Sequence, residues 1–309
     1  MFSAVVPIYN ESGNIAPLHE SLTAVLRTLP GAYEIIYIND ASTDGSLVEL
    51  EALHGATIIN LNRNYGQATS LDAGFKHARG ELIISLDGDG QNDPSDIPLL
   101  IKKLTDDNLD VVAGWRKDRK DSAGINTLTK IGRFLRKKII KDVVHDTGCT
   151  LRVYKRDAAK SLDIGGEMHR YILAILKWKG FRIGEVVVTH RPRVHGKSKY
   201  NYSKAVRGFI DLVGIWFVQK YSQRPLHLFG YLSITSFGFG FLTGAWTLYD
   251  KVHYGISFSR NGWFLITVSL VLAGVLFFSF GIIIDLLIRI HLNNSPHEKR
   301  YYIRSVSTG

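Results

Sequence analysis

Cysteine is almost missing from this chain: Cys149 is alone among 309 residues. No intramolecular disulfide can form, and no metal centre can be built on cysteine thiolates. Acidic residues are in the minority, 28 against 38 Lys and Arg, so the formal net charge is +10. That balance points to anionic partners: nucleic acid, phosphorylated ligands or a lipid surface. Charged residues make up 21%, slightly below a typical soluble domain. A glycine-rich phosphate cradle is absent. Gly13 and Gly45 stand isolated, which excludes a Walker loop and a dinucleotide fingerprint. The opening MFSAVVPIYNE lacks a basic n-region, and Asn10–Glu11 breaks its apolar run, so no signal peptide is expected.

What is present begins with an alternation. Short β-branched runs occur at Ser3–Ile8, Glu34–Ile38, Thr57–Leu61, Leu82–Leu86 and Asp110–Ala113. Segments with helical spacing lie between them, such as Leu18–Leu29. Helix starts are marked by Ser42-Thr43-Asp44 and by Asp93-Pro94-Ser95-Asp96. This predicts an α/β fold with a doubly wound, mostly parallel sheet. Further strand-like runs follow at Cys149–Tyr154 and Phe181–Thr189. Such folds bind ligands at the carboxyl ends of their strands. Here those ends carry Tyr9-Asn10-Glu11, Asn39-Asp40, Asn62-Arg63-Asn64 and Asp87-Gly88-Asp89.

The last of these is the sharpest signal. The apolar run Leu82–Leu86 stops at two carboxylates separated by one glycine. Like charges this close raise one pKa or call for a cation. Oxygen ligands suit Mg²⁺ or Mn²⁺, which keep waters and share themselves with substrate phosphates. A surface turn is the alternative, since Asp and Gly are ordinary turn residues.

The second half changes character. A basic amphipathic helix is expected at 124–141, with Ile125, Leu128, Ile131, Leu135 and Ile139 at helical spacing. It fits an anionic membrane surface, or a helix on the sheet with a solvated basic face. The loop His190–Tyr200 holds four strong cations, Arg191, Arg193, Lys197 and Lys199, that face solvent or surround an anion. Residues 201–225 read as an interfacial helix and linker, or as a core helix of the preceding domain. Two stretches of roughly 20 residues without charge, within 226–249 and 264–288, match a bilayer core. Basic residues flank the pair outside (Lys220, Arg224, Arg289, Lys299, Arg300, Arg304) more than in the connecting loop (Lys251, Arg260). The positive-inside rule places both termini in the cytoplasm. The expected organisation is a cytoplasmic domain at 1–200, the interfacial segment at 201–225, two transmembrane helices within 226–290, and a cytoplasmic tail at 291–309.

Four motifs resemble family 2 glycosyltransferases with a GT-A fold: Val5–Glu11, Ile38–Ser46, Asn64–Gly80 and Leu86–Gln91. They cover residues 1 to 115, and the cationic loop with two membrane helices is similar to the polyisoprenyl-phosphate branch. That branch includes dolichol-phosphate mannose synthases and the bacterial GtrB-like glucosyltransferases, the latter the closer match. The resemblance implies that Pro7, Tyr9, Asn10 and Glu11 line the base and ribose, and that Asp40 bonds one of them. It implies that Asp87 serves the ribose or the metal, and that Asp89, with Gln91, holds the Mg²⁺ or Mn²⁺ on the donor diphosphate. Arg116, Arg133, Arg191, Arg193, Lys197 and Lys199 are candidates for the lipid phosphate, with generic membrane contact as the alternative. Asp157 and Glu167 are candidate carboxylates for orienting the acceptor; otherwise they are a local ion-pair partner and a helix-start residue. The His145-Asp146 pair reads as a turn before a second metal site.

The implied reaction moves one hexose, glucose from UDP-glucose, to undecaprenyl or dolichyl phosphate with inversion, in a bacterial inner membrane. A GDP-mannose-dependent synthase is the alternative donor reading. A catalytically silent, membrane-tethered nucleotide-sugar sensor is the alternative of another class. A processive polysaccharide synthase is disfavoured because no Gln-x-x-Arg-Trp pattern occurs. Nucleic-acid binding is disfavoured because the cations cluster near the membrane segments without interleaved aromatics in the sheet region. The glycine-bearing helices also admit a homo-oligomer.

Overall fold

The computed structural model describes residues 1–117, 144–166, 168–189, 225–294 and 303–308, with Phe217 and Tyr221. Arg133, Glu167, Arg191, Arg193, Lys197 and Lys199 lie outside these residues, as does the segment at 124–141. So does 201–225, apart from Phe217, Tyr221 and Pro225.

Eight strands form one sheet: β1 Phe2–Ile8, β2 Tyr33–Asn39, β3 Ala56–Leu61, β4 Leu82–Ser85, β5 Val111–Trp115, β6 Arg152–Lys155, β7 Ile183–Val187 and β8 Ile303–Thr308. Their spatial order is β7-β5-β6-β4-β1-β2-β3-β8. β1, β2, β3 and β4 are mutually parallel, and β5 is parallel to β7. β6 runs antiparallel to β4 and β5, and β8 antiparallel to β3. Among the described residues, the α-helices of this unit are α1 Ile15–Thr28, α2 Ser46–Glu51, α3 Gln67–His77, α4 Ile97–Asp106, α5 Arg156–Lys160 and α6 Ile172–Trp178.

The central strands are mostly apolar because both faces are covered. Side chains alternate between the faces with period two. Val6, Ile8, Ile35 and Tyr37 join Leu18, Leu22 and Leu26 of α1 in one core. Val5, Ile36 and Ile38 join Leu71 and Phe75 of α3 in the other. The helix start expected at Asp93 is in place: its Oδ1 accepts the Ser95 N–H at 3.0 Å, and Pro94 opens the first turn. The tail beyond residue 300, expected only to be cytoplasmic, contains strand β8.

The chain divides into two compact units, Met1–Leu212 with Lys299–Gly309, and Val213–Glu298. The second unit holds α7, Pro225–Tyr254, and α8, Gly262–Asn294. Both extend past the apolar stretches in the sequence, and both are long and apolar enough to cross a membrane. Their outer surface is oily: Phe241 is 76% exposed and Leu265 69%. Water would not tolerate such a face on an isolated helical pair. Between the helices, Ser233 donates to the Gly274 carbonyl at 2.8 Å and Thr267 to the Thr243 hydroxyl at 2.9 Å. Asn261 in the connecting loop donates to Asp250 at 2.9 Å.

Candidate active site

The loops that follow β1, β2, β3 and β4 emerge at one edge of the sheet, because these strands are parallel. β6 is antiparallel to β4, so its first residues reach that edge: Ser85 pairs with Arg152. β5, antiparallel to β6, ends there too and brings Trp115 and Arg116. Topology therefore collects Tyr9–Glu11, Asp40, Asp87–Gln91, Arg116 and Thr147–Arg152 at one edge.

The acid pair is pressed against the end of β1. A Cβ on Gly88 would lie 2.3 Å from Ile8 Cδ1 and 3.2 Å from the Pro7 carbonyl oxygen. Glycine is what allows this approach. Asp89 is 7% exposed, and its Oδ1 accepts the Gln91 N–H at 3.1 Å. A turn is thus present, yet both carboxylates sit in partly or fully buried surroundings. Burial, and then the neighbouring charge of Asp89, push the Asp87 carboxyl up to about 6. Gln67 Nε2 donates to Asp87 Oδ1 at 2.6 Å. The Thr150 hydroxyl also bonds Asp87, and in turn accepts Asn92 Nδ2 at 2.9 Å.

This donor set fits a hard divalent cation. No cluster of three or more His, Cys, Asp or Glu that could hold a metal occurs among the described residues. Two carboxylates and an amide would leave much of a six-oxygen shell for waters and phosphates, as Mg²⁺ commonly requires. A bound cation would also oppose the shift on Asp87 by favouring its charged form.

The loops after β1 and β2 hold each other in a strained arrangement. Asn10 and Ala41 have φ of 56° and 55°, a region non-glycine residues rarely adopt. Such strain costs on the order of 1–3 kcal/mol per residue and persists where surrounding bonds over-determine it. Here the Asn10 N–H donates to Ser42 Oγ at 3.1 Å, Thr43 N–H to Asn10 Oδ1 at 2.8 Å, and Glu11 N–H to Ser46 Oγ at 2.9 Å. Asp40 is buried, and its two oxygens accept the N–H groups of Tyr65 and Gly66 at 2.7 and 2.8 Å. Its direct partners are the β3–α3 turn, where the resemblance implies the base or ribose. Burial raises its pKa, and the two N–H bonds oppose that.

Other expectations sort by position. Arg116 is at the site, held by Asp146 through Nε at 2.7 Å and Nη2 at 3.0 Å. Asp146 also accepts the Gly148 N–H at 3.0 Å, so His145-Asp146 forms a turn. His145 bonds Glu185 and stacks on Trp115, with centroids 4.4 Å apart. Asp157 is not at the site. The residue before it in the chain, Arg156, donates its N–H to Glu81 at the start of β4. Six steps of near-extended chain, roughly 20 Å at about 3.3 Å each, separate Glu81 from Asp87. The reason is the antiparallel direction of β6, which carries its last residues away from the site.

Thr150 and Arg152 stand beside the acid pair and were not singled out by sequence reasoning, which read Gln67 only as part of the Asn64–Gly80 motif. Arg152 is 2% exposed and donates to the Cys149 and Thr147 carbonyls at 2.7 and 2.8 Å. Its positive charge acts on Asp87. The available signal was one arginine inside the apolar run Cys149–Tyr154. Cys149 itself is buried, which pushes its thiol up to about 11. Nearby, burial pushes His169 down to about 4, helped by Arg170 and Arg152, and its Nδ1 has no hydrogen-bond partner.

Residues 3–163 match the model of glycosyl transferase family 2. The chain belongs to that family. Dodecaprenyl-phosphate galacturonate synthase of Rhizobium johnstonii is 35% identical over 98% of this chain and 92% of the relative. Undecaprenyl-phosphate 4-deoxy-4-formamido-L-arabinose transferase of Klebsiella pneumoniae is 32% identical over 98% of this chain and 93% of the relative. The family member described here is thus a glycosyltransferase of the polyprenyl-phosphate branch. Its fold is also that of glucosyl-3-phosphoglycerate synthase from Mycobacterium tuberculosis, solved with Mn²⁺, uridine diphosphate and phosphoglyceric acid. The TM-score is 0.54 at 17% identity, covering 71% of this chain and 78% of that one.

Proposed function

We propose that this glycosyltransferase moves a single sugar, with inversion, from a nucleoside diphosphate donor to a polyprenyl phosphate at a membrane surface. The observation that supports this most is the buried acid pair at the end of β4, beside the cross-bonded loops of β1 and β2, in a chain of this branch. The loops from Pro7 to Glu11 and from Asp40 to Ser46 receive the nucleoside. Asp89, Asp87 and Gln91 would hold Mg²⁺ or Mn²⁺, which would neutralise charge on the departing nucleoside diphosphate. Asp40 acts on the donor by fixing the Tyr65–Gly66 turn, and Gln67 and Thr150 orient Asp87.

The acceptor phosphate is already anionic near neutral pH, so it needs less help from a general base than a sugar hydroxyl does. Its requirement is cations that hold it in line. Arg116, oriented by Asp146, is the first candidate, and Arg133, Arg191, Arg193, Lys197 and Lys199 are the further candidates. Glu167 is the carboxylate candidate left for orienting the acceptor, since Asp157 is at the opposite end of β4. α7 and α8 cross the membrane as a hairpin. Two crossings return the chain to the side it left, and the pairing of β8 with β3 supports this path. We take that side to be the cytoplasm, at the inner membrane of a bacterium, a reading supported by the excess of basic residues on the hairpin's flanks.

UDP-glucose is the first donor to test. UDP-galacturonate is the second, because the 35% identical relative is a galacturonate synthase. Purified protein is incubated with undecaprenyl phosphate and radiolabelled UDP-glucose, UDP-galacturonate or GDP-mannose, with and without chelator. Lipid-linked label is expected from one donor, lost on chelation and in Asp89→Ala. Label that survives both treatments would refute the metal role. A protein that binds nucleotide but labels no lipid would be a sensor.

A further inference from the structure

The strand farthest along the chain is bonded into the loops proposed to receive the donor. β8 pairs with β3, with Asn60 opposite Ser305 and a register shift between Asn60 and Leu61. Side chains continue the connection along the ends of three neighbouring strands. Asn60 Nδ2 donates to Ser305 Oγ at 3.0 Å. Asn39 Nδ2 donates to Asn60 Oδ1 at 3.0 Å, in a buried bond. Asn39 Oδ1 then accepts the Ser42 N–H at 3.0 Å, and Ser42 Oγ accepts the N–H of Asn10 at 3.1 Å. The chain of bonds therefore ends at two residues with left-handed backbone, Ala41 beside Ser42, and Asn10.

Each amide in this series uses its carbonyl and its NH₂ on different neighbours, so its orientation is determined from both sides. Without Ser305, Asn60 loses the partner that directs its NH₂ outward and its carbonyl toward Asn39. An Asn60 amide turned the other way would present NH₂ to the Asn39 NH₂, and that bond would be lost. The same strand supports a second loop. Leu61, opposite Ile303, leads into the turn whose Tyr65 and Gly66 N–H groups are held by Asp40.

We infer that β8 is a component of the donor site, with Ser305 and Asn60 as positioning residues for the loops that receive a nucleoside diphosphate. This rests on the donor reading above. It makes donor affinity depend on residues that follow the second apolar helix, more than 240 positions from the loops they orient.

The test uses the full chain in detergent, with UDP and GDP as calorimetric probes and the lipid-labelling assay for kinetics. Ser305→Ala is expected to weaken binding of the preferred nucleotide three- to tenfold, about the effect of one hydrogen bond of 0.5–1.5 kcal/mol. The donor KM should rise by a similar factor while kcat and Tm stay at the wild-type values. Ser305→Thr restores the hydroxyl and the affinity. Ser307→Ala, two residues along the same strand, leaves both unchanged. Asn60→Leu should exceed the effect of Ser305→Ala on KM. Equal nucleotide affinity in wild type, Ser305→Ala and Asn60→Leu overturns the inference and leaves the donor reading intact. A wild-type protein that binds neither nucleotide overturns the donor reading and the inference with it.

Discussion

Gly88 shows how a single residue can decide whether this site exists. Its missing side chain is what lets Asp87 and Asp89 lie against Pro7 and Ile8. Gly88→Ala should cost about 1–3 kcal/mol by overpacking, seen as a lower denaturant midpoint, and should displace the acid pair enough to remove most activity. His169 has a different consequence. Its folded-state pKa is depressed to about 4 from an ordinary value of 6.5. Between these values the unfolded chain binds more protons than the folded one, so stability falls as pH is lowered through that window. Denaturant midpoints measured at pH 7 and pH 5 should differ, and His169→Gln should reduce the difference. These effects depend on buried neighbours from distant parts of the chain. The acid pair itself was legible because two carboxylates after an apolar run are a local pattern. The partners Gln67 and Thr150 were not, since a polar residue shows no sign of its partner until strands are aligned.

Strand direction governs which candidates can act together. A parallel β6 would have brought Asp157 to the edge that holds Asp87. The antiparallel pairing brings Thr150 and Arg152 instead. Asp157→Asn is therefore expected to leave kcat/KM within about twofold of wild type, with at most the 0.3–1 kcal/mol of stability that an acid contributes in a helix's first turn. A loss of activity comparable to that of Asp89→Ala would contradict this placement. The strand–helix alternation was readable because apolar runs and helical spacing are local. Direction was not, because β-branched composition is the same in parallel and antiparallel strands.

For the whole molecule, the decisive feature is that the chain leaves the sheet, forms an apolar hairpin and returns to the sheet. This yields a topological test independent of catalysis. Cys149 is buried, and its thiol is raised to about 11, so it should resist maleimide in the native protein and serve as a silent background. Ser257→Cys, in the loop between α7 and α8, should be labelled by a membrane-impermeant maleimide in intact cells. Ser307→Cys on β8 should be labelled only after lysis. The reverse pattern would invert the proposed orientation.

Composition and local periodicity by themselves determined an α/β domain, a carboxylate pair at a strand end and two bilayer-length apolar stretches. Each of these is set by residues within one or two dozen positions of one another. Only the tertiary structure decided that β6 runs backwards, that Asp40 holds the turn after β3, and that the last strand of the chain borders the third. Those outcomes are contacts between segments far apart in sequence. Their register and direction follow from which backbone edges and buried polar groups meet when the sheet closes, a condition that no short stretch of residues records.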